Sequence, residues 1–165
     1  MATQVYYEDV KEGMELPPLV RGPITTLMIV RFDGAGENYE QRHHDYLWCK
    51  EHNFPNVLIN GPLKQSLLAV LMTTWVGDGG FLRKISCSQR GMDYPGHTLT
   101  GKGKVAKKWV EDGLGYVECE IWIENQKGEI TTPGRAVAIL PQKGKGPVPA
   151  EFPCPRERVG WAFEP

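Results

Sequence analysis

The stretch Glu37-Asn38-Tyr39-Glu40-Gln41-Arg42-His43-His44-Asp45 sets two adjacent imidazoles among three carboxylates. An imidazole changes charge near neutral pH, at about 6.5 when unperturbed, so beside a carboxylate it can take a proton from a water and return it. The same residues also suit a solvated loop. A second feature is Asn60-Gly61, where a helix is expected to begin. The first amides of a helix have no intrahelical acceptor and sit at the positive end of its dipole. Glycine there lets a ligand approach closely, so the pair suits a developing oxyanion, although a plain helix start needs no ligand. A third feature is the set of cations Arg83, Lys84, Arg90, Lys102, Lys104, Lys107 and Lys108. These suit the phosphates of a nucleotide-bearing ligand, or simply the wet face of a sheet. Gly101-Lys102-Gly103-Lys104 lacks the spacing and terminal hydroxyl of a phosphate-binding loop. Adjacent histidines point apart and no third ligand stands near them, so no metal is expected. Cys49, Cys87, Cys119 and Cys154 show no paired spacing and are read as free thiols in or near the core.

Those residues need a frame. Residues 1–24 carry Gly13, Pro17, Pro18, Gly22 and Pro23 and read as an extended lead-in. Thr25-Thr26 before Leu27, Met28, Ile29, Val30 and Phe32 predicts a short threonine-capped helix, or a strand. Residues 33–45 read as a loop. Gly61-Pro62 opens the clearest helix, over 61–76, with Leu63, Leu67, Leu68, Val70, Leu71, Trp75 and Val76 at three- and four-residue spacing. The period then falls to two. Strands are predicted over 81–90, 98–110, 115–124 and 135–140. The third alternates Val117, Cys119, Ile121 and Ile123 with Glu118, Glu120, Trp122 and Glu124. Turn residues at Tyr94-Pro95-Gly96, Glu111-Asp112-Gly113 and Gln126-Lys127-Gly128 make consecutive strands antiparallel neighbours. The expected architecture is α+β: one long helix wrapped by an antiparallel sheet. Residues 1–141 form one domain, and 142–165 a proline-rich tail whose Phe152, Trp161 and Phe163 pack on something, such as a partner subunit.

With 165 residues, 19 basic and 20 acidic, the chain is long enough for one core and has no basic surplus. A nucleic-acid or anionic-membrane surface is therefore not expected. No apolar run reaches the ~20 residues that span a bilayer, and the N-terminus lacks a signal-peptide pattern. The expected location is the cytoplasm.

Taken together, these residues resemble the MaoC-like acyl dehydratases and (R)-specific enoyl-CoA hydratases of the hot-dog fold. The likeness covers about residues 5–141. Tyr7-Glu8-Asp9-Val10-Lys11-Glu12-Gly13 is similar to that family's opening, and Tyr94-Pro95-Gly96-His97-Thr98-Leu99 to its "pv-pGdtl" turn. Asn125-Gln126-Lys127-Gly128-Glu129 with Pro133-Gly134-Arg135-Ala136 resembles its last hairpin, and Trp75-Val76-Gly77 its helix end, most closely in small subunits of sterol and aromatic breakdown. The family's active loop reads D-x-N-P-x-H-x-D and its helix opens H-G. Laid on without a gap, the catalytic histidine is His43, the aspartate position holds Asn38, and the helix opening is Asn60-Gly61. Asparagine orients a water but takes no proton from it. A shift of one residue makes Glu37 the carboxylate, and Glu40 is a third candidate.

The resemblance implies that His43 and a carboxylate activate one water, which adds to the β-carbon of an α,β-unsaturated acyl-CoA thioester or leaves in the reverse reaction. Asn60 and Gly61 would hold the thioester oxygen. No cofactor is implied beyond the CoA that carries the substrate. A homodimer, or a heteromer with another hot-dog subunit, is expected. The competing readings are a non-catalytic acyl-CoA-binding subunit that completes a heteromer's site, which Asn38 favours, and a hot-dog thioesterase.

Overall fold

Asn60 starts the central helix: its side-chain oxygen accepts from the Leu63 amide at 2.7 Å. Pro62 follows in the first turn, where its missing N–H costs nothing. The helix, α3, spans Gly61–Val76, as its spacing predicts, and stops at Gly77, whose φ of 72° suits glycine. The computed structural model describes residues 4–149.

Against α3 curls one five-stranded sheet: β1 (Leu19–Arg21), β2 (Phe81–Cys87), β3 (Leu99–Glu111), β4 (Leu114–Asn125) and β5 (Ile130–Leu140). The spatial order is β1-β3-β4-β5-β2, antiparallel throughout. Asp112 and Gly113, with φ of 52° and 77°, make the tight β3–β4 turn. In β4 the alternation holds: Val117, Cys119, Ile121 and Ile123 are at most 1% exposed and form the core with Leu68, Met72 and Val76 of α3. Burying one such side chain is worth about 1.5–3 kcal/mol.

One expected neighbour pair is absent. β2 and β3 are consecutive but do not pair, because β2 closes the far edge of the sheet on β5. Residues 88–98 therefore form a crossover, not a turn, and β2 ends at Cys87 rather than at Arg90. The lead-in contributes the short edge strand β1 on β3.

The N-terminal third is more helical than its composition suggests. Thr25 caps helix α1 (Thr26–Ala35), its hydroxyl accepting from Met28 N at 3.2 Å, which decides helix over strand. The expected loop from residue 33 is broken up: α1 runs through Asp33, a 3-10 turn covers Gln41–His43, and helix α2 (Tyr46–Glu51) is capped by Asp45.

Cys49 and Cys119 are buried, Cys87 is half-buried, and all are free thiols. Burial pushes the Cys119 thiol up to about 12. Cys154 and the aromatic residues of the tail lie outside the described residues. Among the described residues no helix is long and apolar enough to cross a membrane, and no group of three or more His, Cys, Asp or Glu is placed to hold a metal ion.

Candidate active site

His43 ends the 3-10 turn, and its Nδ1 lies 2.8 Å from the Leu58 carbonyl oxygen. A carbonyl only accepts, so Nδ1 carries a proton in this contact and Nε2 is the ring nitrogen left to exchange one. The Leu58 amide donates to Arg42 O at 2.8 Å, fastening the turn to the segment that leads into α3. His43 faces a cleft of about 420 Å³, which Asn38, Gly61, Lys64, Gln89 and Gly91 also line.

A carboxylate that the sequence reading did not single out, Asp33, lies behind this cleft, reached through Asn38 and Asn60 rather than among the lining residues. It sits in the last turn of α1 and is 3% exposed. Its Oδ1 accepts a close hydrogen bond from Asn60 Nδ2 and a 3.4 Å one from Asn38 Nδ2. Its Oδ2 has no hydrogen-bond partner among the described residues. Burial pushes the Asp33 carboxyl above the usual carboxylate range, against the pull of the nearby His43 charge and the Asn60 bond. A buried carboxyl of raised proton affinity near an imidazole is the kind of pairing that can pass a proton.

The residues expected at the site divide. His43, Asn38 and Gly61 line the cleft. Asn38 also closes a loop on α1, its amide donating to Asp33 O at 2.9 Å. Glu37 is exposed, has a φ of 52° and is not among the lining residues. Glu40 lines the cleft but is exposed and paired with Arg42 at 3.2 Å. Asn60 is 0% exposed and both its polar side-chain atoms are engaged, oxygen on Leu63 N and nitrogen on Asp33. It shapes the site from behind without lining it. Gly61 has a steric reason to be glycine: a Cβ there would lie 2.9 Å from Gln89 Cγ. Gln89 is itself held, donating to Gly61 O at 3.3 Å and accepting from Thr132 Oγ1 at 3.0 Å.

Of the seven cations Arg83, Lys84, Arg90, Lys102, Lys104, Lys107 and Lys108, Arg90 alone lines this cleft. Lys102 pairs with Glu124 at 2.8 Å, and Lys108 donates to Tyr7 O and Val10 O, both at 2.7 Å. Those two hold the fold together.

No family profile matches the chain, and no curated protein matches it in sequence. Solved structures match it closely in shape. The unliganded R-hydratase PhaJ1 of Pseudomonas aeruginosa aligns with a TM-score of 0.76 at 18% identity, over 91% of this chain and 94% of that one. The (R)-hydratase of A. caviae involved in PHA biosynthesis gives 0.73 at 20%, over 81% and 99%. The chain has the hot-dog fold. A third hot-dog neighbour, the ChsH1-ChsH2 complex of Mycobacterium tuberculosis, aligns at 0.69 and 20% identity over 79% and 98%. The hot-dog arrangement of a long helix in a curled sheet is what the resemblance implied. Within it, the cleft lies at the N-terminal end of α3, where Asp33, His43 and Gly61 converge from three separate segments.

Proposed function

We propose that this chain is a MaoC-like hydratase or dehydratase, acting on an α,β-unsaturated or 3-hydroxy acyl thioester carried by CoA. The observation that carries the reading is the buried Asp33 carboxyl, with one oxygen unpartnered, beside a histidine whose tautomer leaves Nε2 free to accept a proton. A buried polar oxygen without a partner costs about 1–3 kcal/mol, so there is a strong drive to fill that bond with water. A water between Asp33 Oδ2 and His43 Nε2 is the reactant in this scheme.

Its oxygen forms the bond to the β-carbon while its proton passes to His43 Nε2. The double-bond electrons move onto the thioester oxygen, where the Gly61 amide and the helix dipole receive the charge. The α-carbon then takes a proton from the Asp33–His43 pair, and the sum is one water added. Dehydration is the same path reversed. Asp33 supplies the carboxylate that Asn38 cannot be, and Asn38 and Asn60 hold it in place.

Hydration of a panel of enoyl-CoA esters, followed by loss of the conjugated thioester absorbance, tests this. Turnover is expected, with Asp33→Asn and His43→Ala each losing it. Full activity in Asp33→Asn would sink the assignment of that carboxylate.

A second reading has one specific support. The similarity to a ChsH1-ChsH2 complex favours a heteromer with another hot-dog subunit, in which this chain binds acyl-CoA and the partner completes the site. Tight acyl-CoA binding without turnover, restored by a second hot-dog chain, would select it. A homodimer is the simpler assembly, and the mass in solution distinguishes the two.

A further inference from the structure

Helix α3 carries a single charged residue, Lys64, and that residue is 2% exposed. Its ammonium donates to Gly91 O at 2.9 Å and to Asp93 Oδ2 at 3.1 Å. Asp93 is 0% exposed, and its other oxygen meets His97 Nδ1 at 3.2 Å and Asn125 Nδ2 at 3.5 Å. Taking a lysine and an aspartate out of water costs several kcal/mol per ion before their attraction repays it. Two apolar side chains would tie the crossover to α3 without that cost.

The arrangement has a remainder. An ammonium has three N–H donors, and two are taken by protein acceptors. The carboxylate, by contrast, is shared with His97 and Asn125, so Lys64 is not its only hydrogen-bond partner. Lys64 also lines the cleft that Gly61 opens on. The two are separated by three positions, and residues so spaced are neighbours on one side of a helix.

We propose that Lys64 is a ligand-binding residue of the cleft, whose third N–H donates to the thioester oxygen together with the Gly61 amide. Asp93 and Gly91 hold the ammonium in place, so no reorganisation is needed when the oxygen gains charge. The ligand class is a thioester, or another carbonyl compound that becomes an enolate. This inference rests on the reading of the cleft as an acyl-thioester site.

The test replaces the ion pair as a pair, Lys64→Met with Asp93→Val, because exchanging a buried pair for apolar side chains is often neutral or stabilising, whereas removing one partner strands a charge. Lys64→Gln with Asp93→Asn is the second variant. Binding of butyryl-CoA, and of its S-butyl thioether analogue without the carbonyl oxygen, is measured by calorimetry, with crotonyl-CoA hydration and the melting temperature alongside. The wild type is expected to prefer the thioester. The first variant is expected to fold with a melting temperature somewhat below the wild type, since His97, Asn125 and Gly91 O each lose a partner, to bind butyryl-CoA about tenfold or more weakly, and to lose most of the preference over the thioether. The second variant is expected to fall between.

A variant that folds and keeps both the affinity and the preference overturns the proposal. If the first variant does not fold, the same outcome in the second overturns it. Wild-type binding without hydration would end the hydratase reading, while the thioester-to-thioether ratio still decides Lys64. A wild type that binds neither compound overturns both.

Discussion

The two ends of α3 are built on opposite principles. Toward the C-terminus, Leu68, Leu71, Met72, Trp75 and Val76 are buried against the sheet, and among the described residues no Asp, Glu, Lys, Arg or His is buried with them. The end is closed by Gln4, which donates to Val76 O at 2.8 Å and accepts from Gly79 N at 2.7 Å. Toward the N-terminus, Asp33, Asn60, Lys64 and Asp93 are all buried, and one oxygen of Asp33 has no partner among the described residues. One end gains stability from apolar burial, and the other gives some of it up to keep charged and polar groups out of water. Reactivity goes with the second, because electrostatic interactions are strongest and proton affinities most readily shifted where water is excluded.

That contrast can be broken at either end. The largest expected effect is on chemistry: His43→Ala should lower enoyl-CoA hydration about 10²–10⁴-fold while the melting temperature changes little. Leu68→Ala, at the other end, should do the reverse. It should cost about 2–5 kcal/mol in a denaturant titration, with kcat retained in the molecules that remain folded. Asn60→Ala should touch both properties, because Asn60 caps the helix and holds Asp33. A loss of about 1–2 kcal/mol in stability should come with a fall in turnover that adding a cap elsewhere does not restore.

Asp33→Asn sharpens the comparison through pH. Burial raises the Asp33 carboxyl in the folded state, so between the ordinary carboxylate range and that raised value the native chain holds a proton that the unfolded chain has lost. Asp33 therefore lowers stability as pH rises through that window. Asp33→Asn should remove the decline, leaving the variant at neutral pH as stable as the wild type or more so, and inactive. Denaturant midpoints across pH 4–8, taken as a range about the usual carboxylate and imidazole values, check it. The smallest effect concerns Cys119, whose thiol should resist an alkylating reagent until the chain unfolds, whereas the half-buried Cys87 reacts before it. Mass spectrometry of the labelled chain reads the order.

What could be read from the sequence follows the same division. The Val117–Ile123 alternation and the spacing of α3 are short-range patterns, and both elements appear where those patterns put them. Asp33 is set in the site by Asn60, 27 residues away, and by a 3-10 turn that no local spacing announces. Lys64 is hidden for a different reason. A lone lysine in an apolar helix reads as its wet side, and only the crossover carrying Asp93 makes its burial tolerable. The pairing of β2 with β5 is likewise a long-range choice, since a sheet edge can be closed by any strand that reaches it.

The crossover also bears on the order in which the molecule assembles. β3, β4 and β5 are joined by short turns and can zip up from local contacts. Residues 88–98 must travel from β5's outer neighbour to β3, across three strand spacings or about 14 Å, before Gly91 and Asp93 meet Lys64. These contacts span 27 and 29 residues, more than the β3–β4 and β4–β5 hairpins, so their closure costs more chain freedom than those turns do. The crossover side of the cleft is therefore expected to open more readily than the β3–β4–β5 hairpins. Amide hydrogens of residues 88–93 should exchange with solvent through local openings while those of β4 wait for global unfolding.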